Sequence, residues 1–170
     1  MKKIIIITLF LFLVSSCKES EQSLFEENGL SFICAKGWSV VDKEFLEGDT
    51  YFLSLEKDGF DSSGAITLVV SDYFINSNAN IEAYQNELKT AYIFKKANIV
   101  FEPIKFDKFN GFDCKSSDFT FKLLGLEHHG IIYSFFKDDR SFLILRQEAI
   151  EDRTDNEEGF HLFESTLIFI

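Results

Sequence analysis

The stretch Lys105-Phe106-Asp107-Lys108-Phe109-Asn110-Gly111-Phe112-Asp113-Cys114 carries the strongest local signal in the chain. Asn110-Gly111 suits a two-residue hairpin, because both residues tolerate the positive φ that a type I′ turn demands. The turn therefore predicts a strand over Ile99–Phe109, in which Ile104 and Phe106 alternate roughly with Lys105 and Asp107. A return strand follows over Phe112–Leu124, with Phe119, Phe121 and Leu123 on one face. Pro103 breaks the first strand and can give the ladder no N–H, so it belongs at an edge or a bulge.

Reading outward, Ile131–Phe136 and Phe142–Gln147 form a second hairpin around Lys137-Asp138-Asp139-Arg140-Ser141. Upstream, Ile81, Tyr84, Leu88, Ala91 and Tyr92 fall at helical spacing, with Asn78 or Asn80 available to cap the first turn. Before that helix, Leu30–Cys34, Thr50–Leu55 and Ala65–Tyr73 read as a meander of strands. Gly37 permits the turn after the first, and the polar run 57–64 separates the other two. At the far end, Thr154-Asp155-Asn156-Glu157 fits a capping box, and Phe160, Phe163 and Leu167 continue at helical spacing despite Gly159. Strands, a helix, four antiparallel strands and a second helix make an α+β fold, with helices packed on an antiparallel sheet.

One compact domain over 29–170 can bury a sizeable core, to which the chain's 21 phenylalanines contribute. Trp38, the single tryptophan, reads as core packing behind the first strand. Two buried-type cysteines, Cys34 and Cys114, leave open either a disulfide or a pair of core thiols.

The start of the chain supplies an address. Lys2-Lys3, the apolar run Ile4–Val14 and then Ser15-Ser16 make a secretory leader too short to span a bilayer, which needs roughly twenty apolar residues. Val14-Ser15-Ser16-Cys17 resembles the bacterial lipobox, which implies cleavage before Cys17 and acylation of its sulfur. Residues 1–16 are then a signal peptide and 17–28 a flexible tether, polar from Lys18 to Ser23. Lys18 and the acidic residues behind it are similar to the surface-export signal of Bacteroidota lipoproteins. The expected location is the cell envelope, with the domain held to the outer membrane by lipid on Cys17, on its periplasmic or surface face.

After cleavage the chain would carry 15 basic and 28 acidic residues, a formal charge of −13. Such a chain is a poor partner for nucleic acid, which requires clustered Lys and Arg. The acidity keeps a phenylalanine-rich domain soluble.

The order of elements resembles the PsbP-like superfamily, named for an extrinsic subunit of photosystem II. The matching pieces are Gly29-Leu30-Ser31-Phe32 leading to Gly37-Trp38, the mid-chain helix, the Asn110-Gly111 hairpin with its long strand, and the helix of Phe160, Phe163 and Ser165-Thr166-Leu167. The chain departs from the family's pattern at Ala35, where proline is usual. The resemblance implies an αβα sandwich around about six antiparallel strands, used as a binding or assembly module and seldom as an enzyme. It transfers no site residue, since one fold carries many ligands.

Chemistry is sparse. His128 and His129 could ligate zinc or copper, but neighbours on a strand point to opposite faces, so an exposed turn or strand edge is the plainer reading. The cluster Glu151, Asp152, Asp155, Asn156, Glu157, Glu158 resembles a calcium loop in composition, yet lacks the spacing that surrounds an ion with oxygens. Asp58-Gly59-Phe60-Asp61 is discounted likewise. No nucleophile elbow, no Cys paired with His in a suitable context and no phosphate loop is present. The expectation is thus no catalytic residue, no metal ligand and no cofactor. What remains is a lipid-anchored, non-enzymatic binding or accessory module with a protein partner in the envelope; a ligand- or metal-binding lipoprotein comes second, a hydrolase third.

Overall fold

A computed structural model describes residues 20–59, 62–91, 94–95 and 97–170. The strands are β1 (Ser23–Glu27), β2 (Leu30–Cys34), β3 (Trp38–Leu46), β4 (Thr50–Lys57), β5 (Ala65–Ser71), β6 (Val100–Phe101), β7 (Lys105–Phe109), β8 (Phe112–Leu123), β9 (Leu126–Lys137), β10 (Arg140–Ala149) and β11 (Ile168–Phe169). Helix α1 spans Ser77–Thr90, and helix α2 spans Arg153–Thr166 after a 3-10 turn at Ile150–Asp152.

Eight strands form the main antiparallel sheet in the order β3-β4-β5-β10-β9-β8-β6, with β7 also paired to β8. The expected six-stranded sheet is thus larger, and β1, β2 and β11 make a second sheet of three strands. Leu30–Cys34 therefore does not begin the meander, which is β3-β4-β5 alone.

The central strands explain the unbroken apolar runs Ile131–Phe136 and Phe142–Leu145. Their residues alternate between two separate cores, so neither face can be polar. On one face Ile131, Tyr133, Phe135, Phe142 and Ile144 meet Phe160 and Phe163 of α2 and Leu30 and Phe32 of the small sheet. On the other, Ile132, Leu143, Leu145, Phe119 and Phe121 meet Ile81 and Leu88 of α1.

The Asn110-Gly111 turn forms as read, with φ of 46° and 81°. Pro103 separates β6 from β7, both of which lie on the outer side of β8. Helix α1 is capped by Asn76, two residues before the earlier of the expected caps: its side chain accepts from the amides of Asn78 and Ala79 at 3.1 and 3.3 Å. Tyr92, placed on that helix by its spacing, lies outside the described residues.

The capping box does not form. The 3-10 turn leads into α2 at Arg153, and the cap residue Asp152 makes no side-chain bond to the helix. Its carboxylate instead accepts from Ser63 Oγ at 2.6 Å.

The stretch 17–28 is not a tether throughout. Ser23–Glu27 pairs with Leu30–Cys34 across the Asn28-Gly29 turn, and Phe25 stacks on Phe32 at 4.7 Å. Phe25 packs against the core while Leu24 stays exposed, and the ladder supplies the rest. Residues 1–19, with Cys17 and the leader, lie outside the described residues.

Candidate functional site

The antiparallel strands give the molecule two ends. One holds the first described residue. Ser20 donates its N–H to Asp58 Oδ2 at 3.0 Å and its hydroxyl to the Trp38 carbonyl at 2.9 Å, while its own carbonyl accepts from Gly37 N–H at 2.9 Å. Ser39 Oγ donates to the other oxygen of Asp58 at 2.7 Å. These donors, led by the Ser20 amide, hold the Asp58 carboxyl below its ordinary range.

Beside this clamp lies a cavity of about 660 Å³ between the β4–β5 loop, the β8–β9 turn and the 3-10 turn. Phe94, Phe121, Leu123 and Leu126 make its apolar wall; Ser62, Ser63, His128, Gln147 and Asp152 are polar. The side-chain oxygen of Gln147 is buried with no hydrogen-bond partner among the described residues. His128 stacks on Phe121 with centroids 4.6 Å apart, and burial pushes its pKa down from the ordinary 6.5 against the opposing pull of Asp152 and Glu151.

His128 and His129 sit within β9, between β8 and β10, and occupy neither an exposed turn nor a sheet edge. The turn after β8 comes earlier, at Leu124-Gly125, so the strand already runs through both residues. Their faces are opposite, as strand geometry dictates: His129 turns away from His128 to Asp118, with Nε2 at 3.3 Å from Oδ1.

His129 borders a charged groove of about 720 Å³ along α2. Its charges satisfy one another: Arg146 pairs with Glu164 at 2.6 Å and Arg153 with Glu148 at 3.2 Å. The acidic cluster is likewise dispersed, because Asp152 accepts from Ser63 and Asn156 is buried against Glu148. Among the described residues no three His, Cys, Asp or Glu side chains gather as metal ligands. Cys34 and Cys114 are buried free thiols, and Trp38 is in the core at 3% exposure.

The opposite end carries aromatic rings in solvent. Phe74 and Phe136 meet edge to face at 5.0 Å while exposed by 66% and 42%, and Tyr73 is half exposed beside them. With Phe106, 84% exposed, Phe74 and Phe136 border a shallow hollow of about 310 Å³ against the start of α1 and the strands β7, β8 and β9. Lys115 Nζ stands 3.0 Å over the Phe106 ring. Exposed apolar patches, where rings gather in this way, are the kind of surface that marks interaction sites. Sequence reasoning assigned Phe106 and Phe136 to strands but missed the patch, whose residues are far apart in the chain; Tyr73-Phe74 at the end of β5 was its one local trace.

These features define a class: an α+β domain whose antiparallel sheet is covered by helices, with a cavity at one end, exposed aromatic rings at the other and a charged groove along one helix. Among solved structures the fold is similar to cyanobacterial PsbP (CyanoP) from Synechocystis sp. PCC 6803, with a TM-score of 0.58 over 92% of this chain and 96% of that one, at 10% identity. A crystal structure from Bacteroides thetaiotaomicron VPI-5482 matches with a TM-score of 0.50 and 16% identity over 89% of this chain, which spans 49% of that protein. LpqN, involved in cell envelope biogenesis of Mycobacterium tuberculosis, gives a TM-score of 0.44 at 7% identity over 86% of this chain and 89% of its own. No family model and no curated protein sequence matches. At such identities the likeness is one of fold alone: the fold is similar to that of cyanobacterial PsbP, with a larger sheet than expected.

Proposed function

We propose that the protein is a non-enzymatic accessory module, held to the outer membrane by lipid on Cys17, that docks a protein partner of the cell envelope on the aromatic patch of Tyr73, Phe74, Phe106 and Phe136. The observation that carries this reading is the patch itself. Exposed aromatic clusters supply the anchors of protein interfaces, and this one lies at the end of the sheet away from Ser20. An anchor at Cys17 would leave it facing outward, into the space where a partner is met. Among the described residues no helix is long and apolar enough to cross a membrane, so lipid is the attachment this reading requires.

Two measurements test it. Labelled palmitate should enter the wild-type protein and not Cys17→Ala; equal labelling would remove the anchor. A photo-cross-linking residue at position 106, in intact cells, should trap one protein species that disappears when Phe74→Ser and Phe136→Ser are combined. Trapping that survives those changes, or that is matched at Glu44 on the β3 edge, would remove the docking surface.

A second reading, a small-ligand site, is favoured by one observation: the unpartnered oxygen of Gln147 beside the cavity of Phe121 and His128. Buried polar atoms normally find partners, and a concave apolar pocket with a few such atoms suits a small molecule.

A further inference from the structure

Among the described residues, four hairpins close on two-residue turns in which both residues have positive φ: Asn28-Gly29, Asn110-Gly111, Leu124-Gly125 and Asp138-Asp139. Three of them lead with Asn or Asp, whose short polar side chains tolerate the left-handed conformation. The fourth leads with leucine, at φ 52°, and that leucine is 95% exposed. It is strained by its backbone, wasted in water, and repaid by no packing within the domain. Leu126 follows it across the turn, 39% exposed, and Ile150, 43% exposed, follows Ala149, which pairs with His128 on the same strand as Leu126.

The position of this tip supplies the reason. Leu124 and Leu126 border the same cavity as Lys57 and Gly59, the chain neighbours of Asp58, and Asp58 holds the Ser20 amide. Only Lys18 and Glu19 separate Ser20 from Cys17, a reach of about 10 Å even when fully stretched. A bilayer holding the sulfur of Cys17 must therefore lie against this end of the sheet.

We infer that the Leu124 tip, with Leu126 and Ile150 beside it, enters the interfacial layer of the membrane and fixes the orientation of the domain. This rests on the proposed acylation of Cys17. The contact is apolar in origin: of the charges nearby in sequence, Lys122 stands opposite Glu127 across the hairpin and Arg153 pairs with Glu148, while Glu151 and Asp152 are acidic, so no net positive charge would draw the tip to an anionic headgroup. High salt should accordingly leave the contact intact. With the tip seated, the sheet stands on the membrane with the aromatic patch at its far end.

The test uses the full acylated protein, purified from membranes and reconstituted in vesicles of phosphatidylethanolamine and phosphatidylglycerol. A single environment-sensitive dye is placed on Leu124→Cys or, at the opposite end, on Asp139→Cys; the buried Cys34 and Cys114 give the background, measured on the parent. Emission from position 124 should be blue-shifted, with several-fold weaker quenching by an aqueous quencher than at 139 and stronger quenching by a lipid-borne one. Leu124→Asn, which suits the turn and keeps the fold, should expose a dye placed on Ile150→Cys. Equal aqueous quenching at 124 and 139 in protein whose N-terminal peptide carries acyl chains would overturn this inference and leave the anchor standing. An unacylated Cys17 would overturn both. Protection at 124 that appears only in native membranes, and not in pure lipid, would assign the tip to a protein partner and overturn the membrane contact.

Discussion

Trp38 and Gly159 lie so close that a Cβ built on the glycine would fall 2.1 Å from Cε2 of the indole. A helix interior normally disfavours glycine by about 1 kcal/mol relative to alanine, and here the close approach of β3 to α2 outweighs that cost. The indole also meets Phe160 edge to face at 5.3 Å, so it lies against two successive residues of the helix.

Gly159→Ala should therefore destabilise the domain by about 1–3 kcal/mol, as overpacking does elsewhere, in spite of alanine's helix preference. Urea unfolding followed by far-ultraviolet dichroism measures it. Trp38→Leu in the same chain should recover part of the loss, because the smaller side chain vacates the space; a double variant no better than the sum of the singles would place the strain elsewhere.

Asp58 fastens the start of the described chain, and its consequence is local. Asp58→Asn should raise hydrogen exchange at the Ser20 amide while leaving the urea midpoint nearly unchanged, since the carboxyl is only partly buried and its bonds are worth little to global stability. The wild type should show the same loosening in acid. The folded carboxyl is held below its ordinary value of 3.8, so the clamp is whole above that pH and is lost as pH falls through the lower, folded value. Exchange at Ser20 that ignores both the substitution and the acid would show that Asp58 is not the fastening.

The thiols should be sealed in the native state. Burial first, then the charges of Asp107 and Asp113, pushes Cys114 up to about 12, and burial raises Cys34 as well. An aromatic disulfide reagent at pH 8 should leave both unmodified in the folded protein and modify both in urea. Rapid native reaction at either position would contradict the packing around it.

How far the fold could be read depended on how local its signals are. Asn110-Gly111, the helical spacing of Ile81, Tyr84 and Leu88, and the doubly buried runs of β9 and β10 each state their structure within a dozen residues. β3 stated nothing: Asp42, Lys43 and Glu44 lie on an exposed edge with a bulge after Val40, where polarity blunts pairing with other chains instead of marking a loop. The small sheet was hidden for another reason, because β11 reaches β2 through Ile168 opposite Ser31, a pairing across most of the chain. The candidate sites share that difficulty. Phe74 and Phe136 meet from β9 and the segment after β5, and Leu124 becomes conspicuous only once its φ and exposure are known.

Acid should act on the basal cavity through His128. The imidazole is stacked on Phe121 and partly buried, so its charged form is disfavoured and its folded pKa lies below 6.5. The unfolded chain then binds the proton more readily than the folded one, and protonation favours unfolding. The stabilising contribution is complete above about pH 6.5 and is lost progressively as pH falls through the lower, folded value. His128→Phe keeps the stack and removes the proton, so its urea midpoint should fall less between pH 7.5 and pH 5 than that of the wild type. The His128 ring resonance should titrate below that of an unstructured histidine peptide. A ring that titrates at or above the peptide's value would mean that Asp152 and Glu151 outweigh burial, and that the cavity wall carries a positive charge near neutrality.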